Sequence, residues 1–179
     1  MAQLDPNLLM KALTFAANKH RNQFRKGSKP IPYINHPIAV ADLIVRTGKI
    51  HDEATLAAAL LHDTVEDTET TFEELETEFG HEISKLVAEL TDDKKLSKEE
   101  RKRLQIEHAP SLSPRARIVK LADKICNLRD VVQDPPKGWP LERKQEYFDW
   151  AKSVVDQLHG TNPNLENAFA KAYANRPKS

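Results

Sequence analysis

Apolar residues recur at three- and four-residue spacing along almost the whole of this 179-residue chain, and no segment shows a sustained alternation of period two. That limits the fold to helices packed on helices. The length predicts one all-α domain over residues 1–179, with its core between about 5 and 175. Start and stop signals divide the chain into helices. Asp5-Pro6 opens the first, with Leu9, Leu13 and Ala16 on one face. The basic stretch Arg21–Pro32 reads as a loop, and Pro37 suits the start of a second helix running toward Gly48. Asp52 caps Ala54–Leu61, which is apolar nearly all round and so must be buried on most sides. Capping boxes at Thr71–Glu74 and Ser97–Glu100 start two more helices, and another follows Gly80. Ser113-Pro114 opens a helix whose buried face carries Ile118, Leu121, Ala122, Ile125 and Leu128. Leu141–Leu158 and Pro163–Ala174, the latter capped by Asn162, complete the set.

Composition excludes several function classes. A single cysteine, Cys126, rules out a disulfide framework and a thiolate cluster, so any metal must be held by His, Asp and Glu. No apolar run approaches ~18 residues and none lies near Met1, which predicts a soluble cytoplasmic protein without a membrane partner. The 27 basic and 27 acidic residues give no net excess, which argues against a nucleic-acid surface. The balance conceals segregation: residues 1–50 hold 8 basic and 2 acidic residues, residues 51–100 hold 4 and 16, and the remainder hold 15 and 9.

The chemistry concentrates in HDTVED. His62, Asp63, Glu66 and Asp67 fall on one face if the helix continues through them, and three carboxylates gathered at the end of a buried helix call for a cation. An adjacent His-Asp pair alone is a weak signal. His51-Asp52 is a second such pair, and there Asp52 is accounted for as a helix cap. His36, beside Pro37, and Asp123, among Leu121, Ala122 and Ile125, are the partners elsewhere; the simplest alternative for Asp123 is a salt bridge with Lys120 or Lys124. Two His and two Asp suit Mn²⁺, Fe²⁺ or Mg²⁺, and Zn²⁺ less well. Phe72, Leu75, Phe79, Trp139, Tyr147, Phe148 and Trp150 read as packing residues, Thr91–Lys94 as a capped turn, and the run KEERKR (Lys98–Arg103) as a solvated helix face.

His36, His62-Asp63 and Asp123, in that order on an all-α background, resemble the metal-binding signature of the HD phosphohydrolase superfamily. RKGSKPIPYINHP, AALLHDTVEDT, FGHEISKLVAELTDDK and VKLADKICNLRD are similar to successive blocks of the hydrolase domain of RelA/SpoT alarmone enzymes, in its stand-alone metazoan form. The resemblance implies a helical bundle with one Mn²⁺ ion and hydrolysis of the 3′-pyrophosphate of guanosine tetra- or pentaphosphate. It implies His36, His62, Asp63 and Asp123 as metal ligands, Glu66 and Asp67 as the catalytic acids, and Arg25, Lys26 and Asn127 as substrate contacts. The spacer departs from the family pattern in having Pro32 directly before Tyr33 and an additional Lys29. The partner implied is a small nucleotide, bound by a monomer or weak homodimer; a 2′-phosphatase acting on NADPH, or on another nucleotide, is the alternative for the same site.

Overall fold

The computed structural model describes residues 5–178. Met1–Leu4 and Ser179, at the margins of the expected domain, lie outside the described residues, as does the expectation concerning the segment next to Met1. Ten α-helices and two short 3-10 turns make up the regular structure of the described residues: α1 (Pro6–Lys19), α2 (Asn35–Arg46), α3 (Glu53–Leu61), α4 (Thr64–Asp67), α5 (Phe72–Phe79), α6 (His81–Leu90), α7 (Lys98–His108), α8 (Pro114–Gln133), α9 (Leu141–Val155) and α10 (Pro163–Ala174). One isolated antiparallel bridge, Phe24 to Pro32, pins the base of the basic loop.

The caps expected from sequence are in place. Asp5, Asp52, Thr71, Ser97, Ser113 and Asn162 each accept a backbone N–H of the first turn that follows, satisfying donors that the helix itself leaves without partners. The capping boxes are half-formed: Glu74 turns its carboxylate to Lys19 (2.7 Å), and Glu100 lies nearest Arg103 (3.6 Å). Gly80, at φ +83°, allows α5 to turn directly into α6. Helix α2 begins at Asn35, two residues before Pro37, because a proline in the first turn loses no intrahelical bond. The last turn of the expected Leu141–Leu158 helix tightens to 3-10 geometry over Asp156–Leu158.

Helix α3 is the central post. Ala54 through Leu61 are all buried, and the helix lies against α1, α2, α6 and α8. One apolar cluster runs from Ala12 to Ala172 and includes Leu121, Ala122, Ile125 and Leu128 of α8. Phe72 is an exception to the expected packing set: at 37% exposed it lies on the surface, since it opens α5 just outside the core. No helix among the described residues is long and apolar enough to cross a membrane. Part of the charge segregation resolves into ion pairs between the basic and acidic segments, including Lys11–Glu78 (3.0 Å) and Lys19–Glu74.

Asp52 ties the start of α3 to α8. Its Oδ2 accepts from Thr55 N (2.9 Å) and Thr55 Oγ1 (2.5 Å), and its Oδ1 from Arg115 Nη2 (2.8 Å). Asp52→Ala is expected to cost about 1–2 kcal/mol, mostly from the lost cap. Thermal unfolding should show a Tm lowered by roughly 2–8 °C.

Candidate active site

Helix α3 does not continue through HDTVED. His62 and Asp63 form a turn, and α4 begins at Thr64. The break is made by side chains: Thr64 Oγ1 donates to Leu61 O (2.7 Å) and His62 Nδ1 to Ala59 O (2.8 Å). Four acidic and imidazole groups stacked on one continuous helix face, the condition attached to the sequence reading, are therefore not what brings these residues together. The kink turns His62 and Asp63 toward α2 and α8, while Glu66 and Asp67 line the same small cavity from the next turn.

His36 from α2, His62 and Asp63 from the turn, and Asp123 from α8 converge. His36 Nε2 lies 3.0 Å from Asp123 Oδ1 and 4.0 Å from Asp63 Oδ2. His62 Nε2 lies 3.2 Å from Asp63 Oδ2 and 3.7 Å from Asp123 Oδ1. Atoms that share one small divalent ion at about 2.1 Å sit roughly 3–4 Å apart, the range found here. His36, His62 and Asp123 are only 4%, 5% and 9% exposed, and each offers a ligand atom within 4.8 Å of the other two.

Hydrogen bonding provides a separate test of fit. A carbonyl only accepts, so His62 Nδ1 donates to Ala59 O, and Nε2 faces the acidic pair with no hydrogen-bond partner. That is how a histidine ligand is commonly oriented, its second nitrogen fixed by a carbonyl. The His/Asp cluster fits a divalent metal site. Its electrostatics in the metal-free protein agree. Burial opposes protonation of His62, yet Asp63 and Asp123 raise its pKa to about 10. Burial likewise opposes ionisation of Asp63, but His62 and His36 hold it below the usual carboxylate range. Asp123 is also held low against burial, by Lys124 and the two imidazoles. The expected alternative of a salt bridge is thus partly present: Lys124 Nζ lies 3.3 Å from Asp123 Oδ2, alongside the histidines rather than instead of them.

The surrounding contacts include residues to which the sequence reading gave no role. The Tyr33 hydroxyl donates to Asp63 Oδ2 (2.6 Å) and lies 3.0 Å from Asp67 Oδ2. Gln23 Nε2 donates to Asp67 O (2.6 Å), and Lys94 pairs with the Asp67 carboxylate. Glu66 Oε2 accepts from Asp92 N (3.1 Å), and Arg101 Nη1 is 3.8 Å from Glu66 Oε1. Burial first, then the charges of Asp92, Asp63 and Asp67, push the Glu66 carboxyl upward against the Asp92 N–H. The turn at Thr91–Lys94 and Arg101 of α7 therefore brace the acidic pair, whereas Arg103 faces solvent beside Glu107.

Arg25 Nη2 donates to Asn127 Oδ1 (2.9 Å) and Asp130 Oδ2 (2.6 Å), and Asn127 Nδ2 donates to Asp123 Oδ1 (2.7 Å). Arg25 and Asn127 thus reach the acidic centre. Lys26 does not: it lines a second cavity of about 1160 Å³. This larger space continues from the first, sharing Arg25, Tyr33, His36, Asp67 and Asn127. Its far wall holds Trp139 and Tyr147 (ring centroids 5.6 Å apart), Arg143 over the Trp139 ring (4.6 Å), Lys98 and Lys102. The loop that carries Arg25 and Lys26 is anchored by Asp134, which accepts from Ser28 N (2.8 Å), Ser28 Oγ (2.6 Å) and Lys29 N (3.3 Å). Gly27 lies so close to Asp134 that a Cβ there would collide with it.

The described residues form a helical bundle with a buried His/Asp cluster that fits a divalent metal, and residues 12–149 match the HD domain family, to which the chain belongs. Its relatives narrow this further. The guanosine-3′,5′-bis(diphosphate) 3′-pyrophosphohydrolase MESH1 of Xenopus tropicalis is 56% identical over 162 residues, 90% of each chain. The human protein of that name is 54% identical over 168 residues, 94% of each. A solved structure, described as a metazoan ortholog of SpoT that hydrolyses ppGpp and plays a role in starvation responses, has a TM-score of 0.94 at 50% identity and covers 98% of both chains.

Proposed function

We propose that this chain is a guanosine-3′,5′-bis(diphosphate) 3′-pyrophosphohydrolase, converting ppGpp to GDP and pyrophosphate, with one Mn²⁺ held by His36, His62, Asp63 and Asp123. The observation that carries this reading is the continuity of two cavities, one acidic and lined by His36, His62, Asp63 and Asp123, the other basic and aromatic. A bound divalent ion lowers the pKa of water and polarises a phosphoryl oxygen. The protein's own groups supply the rest. Asp67, paired with Lys94 and beside the Tyr33 hydroxyl, is placed to orient the attacking water and take its proton. Glu66, whose carboxyl is pushed up by burial and neighbouring charge, is the group placed to hand a proton to the departing 3′-oxygen. Arg25 offers a two-pronged donor to phosphate, and Lys26 a mobile charge toward the larger cavity. Trp139 and Tyr147 provide a stacking wall for the purine, with Arg143 and Lys98 beside it for the 5′-phosphates. Every group named comes from one chain, so a monomer or weak homodimer is sufficient.

Purified protein loaded with Mn²⁺ is expected to release pyrophosphate from ppGpp; normal metal uptake without any release sinks the assignment. The size of the second cavity keeps a larger nucleotide in view, and NADPH losing its 2′-phosphate is the rival substrate. Specificity is a ratio of kcat/KM values, and ppGpp should exceed NADPH by at least about tenfold. The reverse order would transfer the site to the rival.

A further inference from the structure

Lys120 lies on α8 one turn before Lys124 and is 8% exposed, yet its ammonium has little to hold it. Its one hydrogen bond runs to Leu90 O at 3.3 Å. An ammonium has three donors, so two remain without a protein partner. Among the described residues, no carboxylate oxygen lies within 4.0 Å of it, although it lines the small cavity with Glu66, Asp67, His62 and Asp123. Lys124 cannot relieve it. That side chain is itself cationic and is already engaged by Asp123 (3.3 Å) and the Trp150 ring (4.4 Å). Like charges four residues apart on a helix repel. Burying a cation with a single weak contact is costly unless another anion completes the site. Burial, reinforced by Lys124, pushes the Lys120 pKa downward against the opposing pull of Asp123, Asp92 and Glu66.

We infer that Lys120 is a catalytic residue whose ammonium binds the non-bridging oxygens of the 3′-diphosphate and stabilises the negative charge that grows on them as water attacks. The inference rests on the proposed hydrolysis and names a group that reading leaves out. In that reaction the water oxygen bonds to the phosphorus next to the 3′-oxygen and its proton passes to Asp67. The phosphorus–oxygen bond to the ribose breaks, and the 3′-oxygen takes a proton from Glu66. Lys120 makes and breaks no covalent bond; it is a fixed donor placed where negative charge grows, and removing one such donor typically lowers turnover about 10²–10³-fold.

The test uses the full chain with Lys120→Met, which keeps the length and removes the charge, and Lys120→Arg, which keeps the charge. With Mn²⁺ uptake measured as equal to wild type, Lys120→Met is expected to lower kcat about 10²-fold, and Lys120→Arg to recover a substantial part. In metal-free protein, calorimetric titration should show ppGpp bound at least tenfold more weakly by Lys120→Met, with GDP affinity unchanged, because GDP lacks the 3′-diphosphate. Lys120→Gln replaces Lys120→Met in the same comparison if the latter does not fold. Unchanged kcat, or equal losses for ppGpp and GDP, overturns the inference. A lowered Tm with ppGpp and GDP affinities intact assigns Lys120 to packing alone and overturns it too. Failure of wild-type protein to hydrolyse ppGpp at all is a different result and counts against the proposed function itself.

Discussion

Replacing His62 and Asp63 together by Ala is expected to abolish both stoichiometric metal binding and pyrophosphate release, with turnover falling by at least about 10³-fold, equivalent to about 4 kcal/mol of transition-state stabilisation. Two of the four proposed ligands are lost at once, and the remaining His36 and Asp123 approach each other at 3.0 Å without a third donor to close the site. The fold should survive. The centre is a set of buried, mutually dependent charges, and deleting part of it removes desolvation cost along with attraction. Circular dichroism and Tm would separate the two effects: a folded, metal-free, inactive protein is the expected result. Folded protein with normal activity would reject the site.

The second large effect belongs to the acidic pair. Glu66→Gln and Asp67→Asn are each expected to lower kcat about 10²–10⁴-fold, the usual contribution of a positioned acid or base, while metal content stays at the wild-type level. The two should differ in their side effects. Gln at position 66 can still accept from Asp92 N, so structure around the Thr91–Lys94 turn is retained. Asn at position 67 weakens the pairing with Lys94 and alters the contact with the Tyr33 hydroxyl, so a modest loss of metal affinity through Asp63 accompanies it. If either variant keeps wild-type kcat with bound metal, that carboxylate is not part of the proton traffic. If both lose the metal, the pair acts by holding the centre rather than by chemistry.

The helices and the four residues proposed as ligands were readable because their signals are local. Asp5, Asp52, Ser113 and Asn162 announce helix starts within three residues of the N–H groups they satisfy. His36, His62, Asp63 and Asp123 are chemically distinctive against apolar neighbours. The relation of HDTVED to its helix was less legible. Nothing in the letters marks a break between Leu61 and Thr64, for there is neither Gly nor Pro. The kink comes from Thr64 and His62 bonding back to main-chain carbonyls, which threonine can do equally well without breaking a helix. Tyr33 escaped notice because its partners, Asp63 and Asp67, are 30 and 34 residues away. Lys120 read as an ordinary salt-bridge candidate for Asp123 because sequence carries no information on which of two lysines, one turn apart, faces the carboxylate; the structure gives that contact to Lys124. Lys26 sits beside Arg25 in the chain and both line the larger cavity, yet only Arg25 reaches Asn127.

The segregation of charge takes on a more specific meaning from these contacts. Some of the acidic middle neutralises the basic first helix at the surface, as Glu74 and Glu78 do for Lys19 and Lys11. Another part, Asp63, Glu66 and Asp67, faces inward, and the basic loop around Arg25 meets it across a shared cavity. A small polyanion bound between the two signs is what the proposed function requires.

The most direct measurement is an anomalous difference map at the manganese absorption edge from crystals of the protein with Mn²⁺ and a non-hydrolysable analogue of ppGpp. One strong peak within about 2.3 Å of ligand atoms from His36, His62, Asp63 and Asp123, with the 3′-diphosphate of the analogue beside Glu66 and Asp67, is the predicted result. A manganese peak held by other residues, or an analogue whose 3′-diphosphate points away from that centre, would contradict the account.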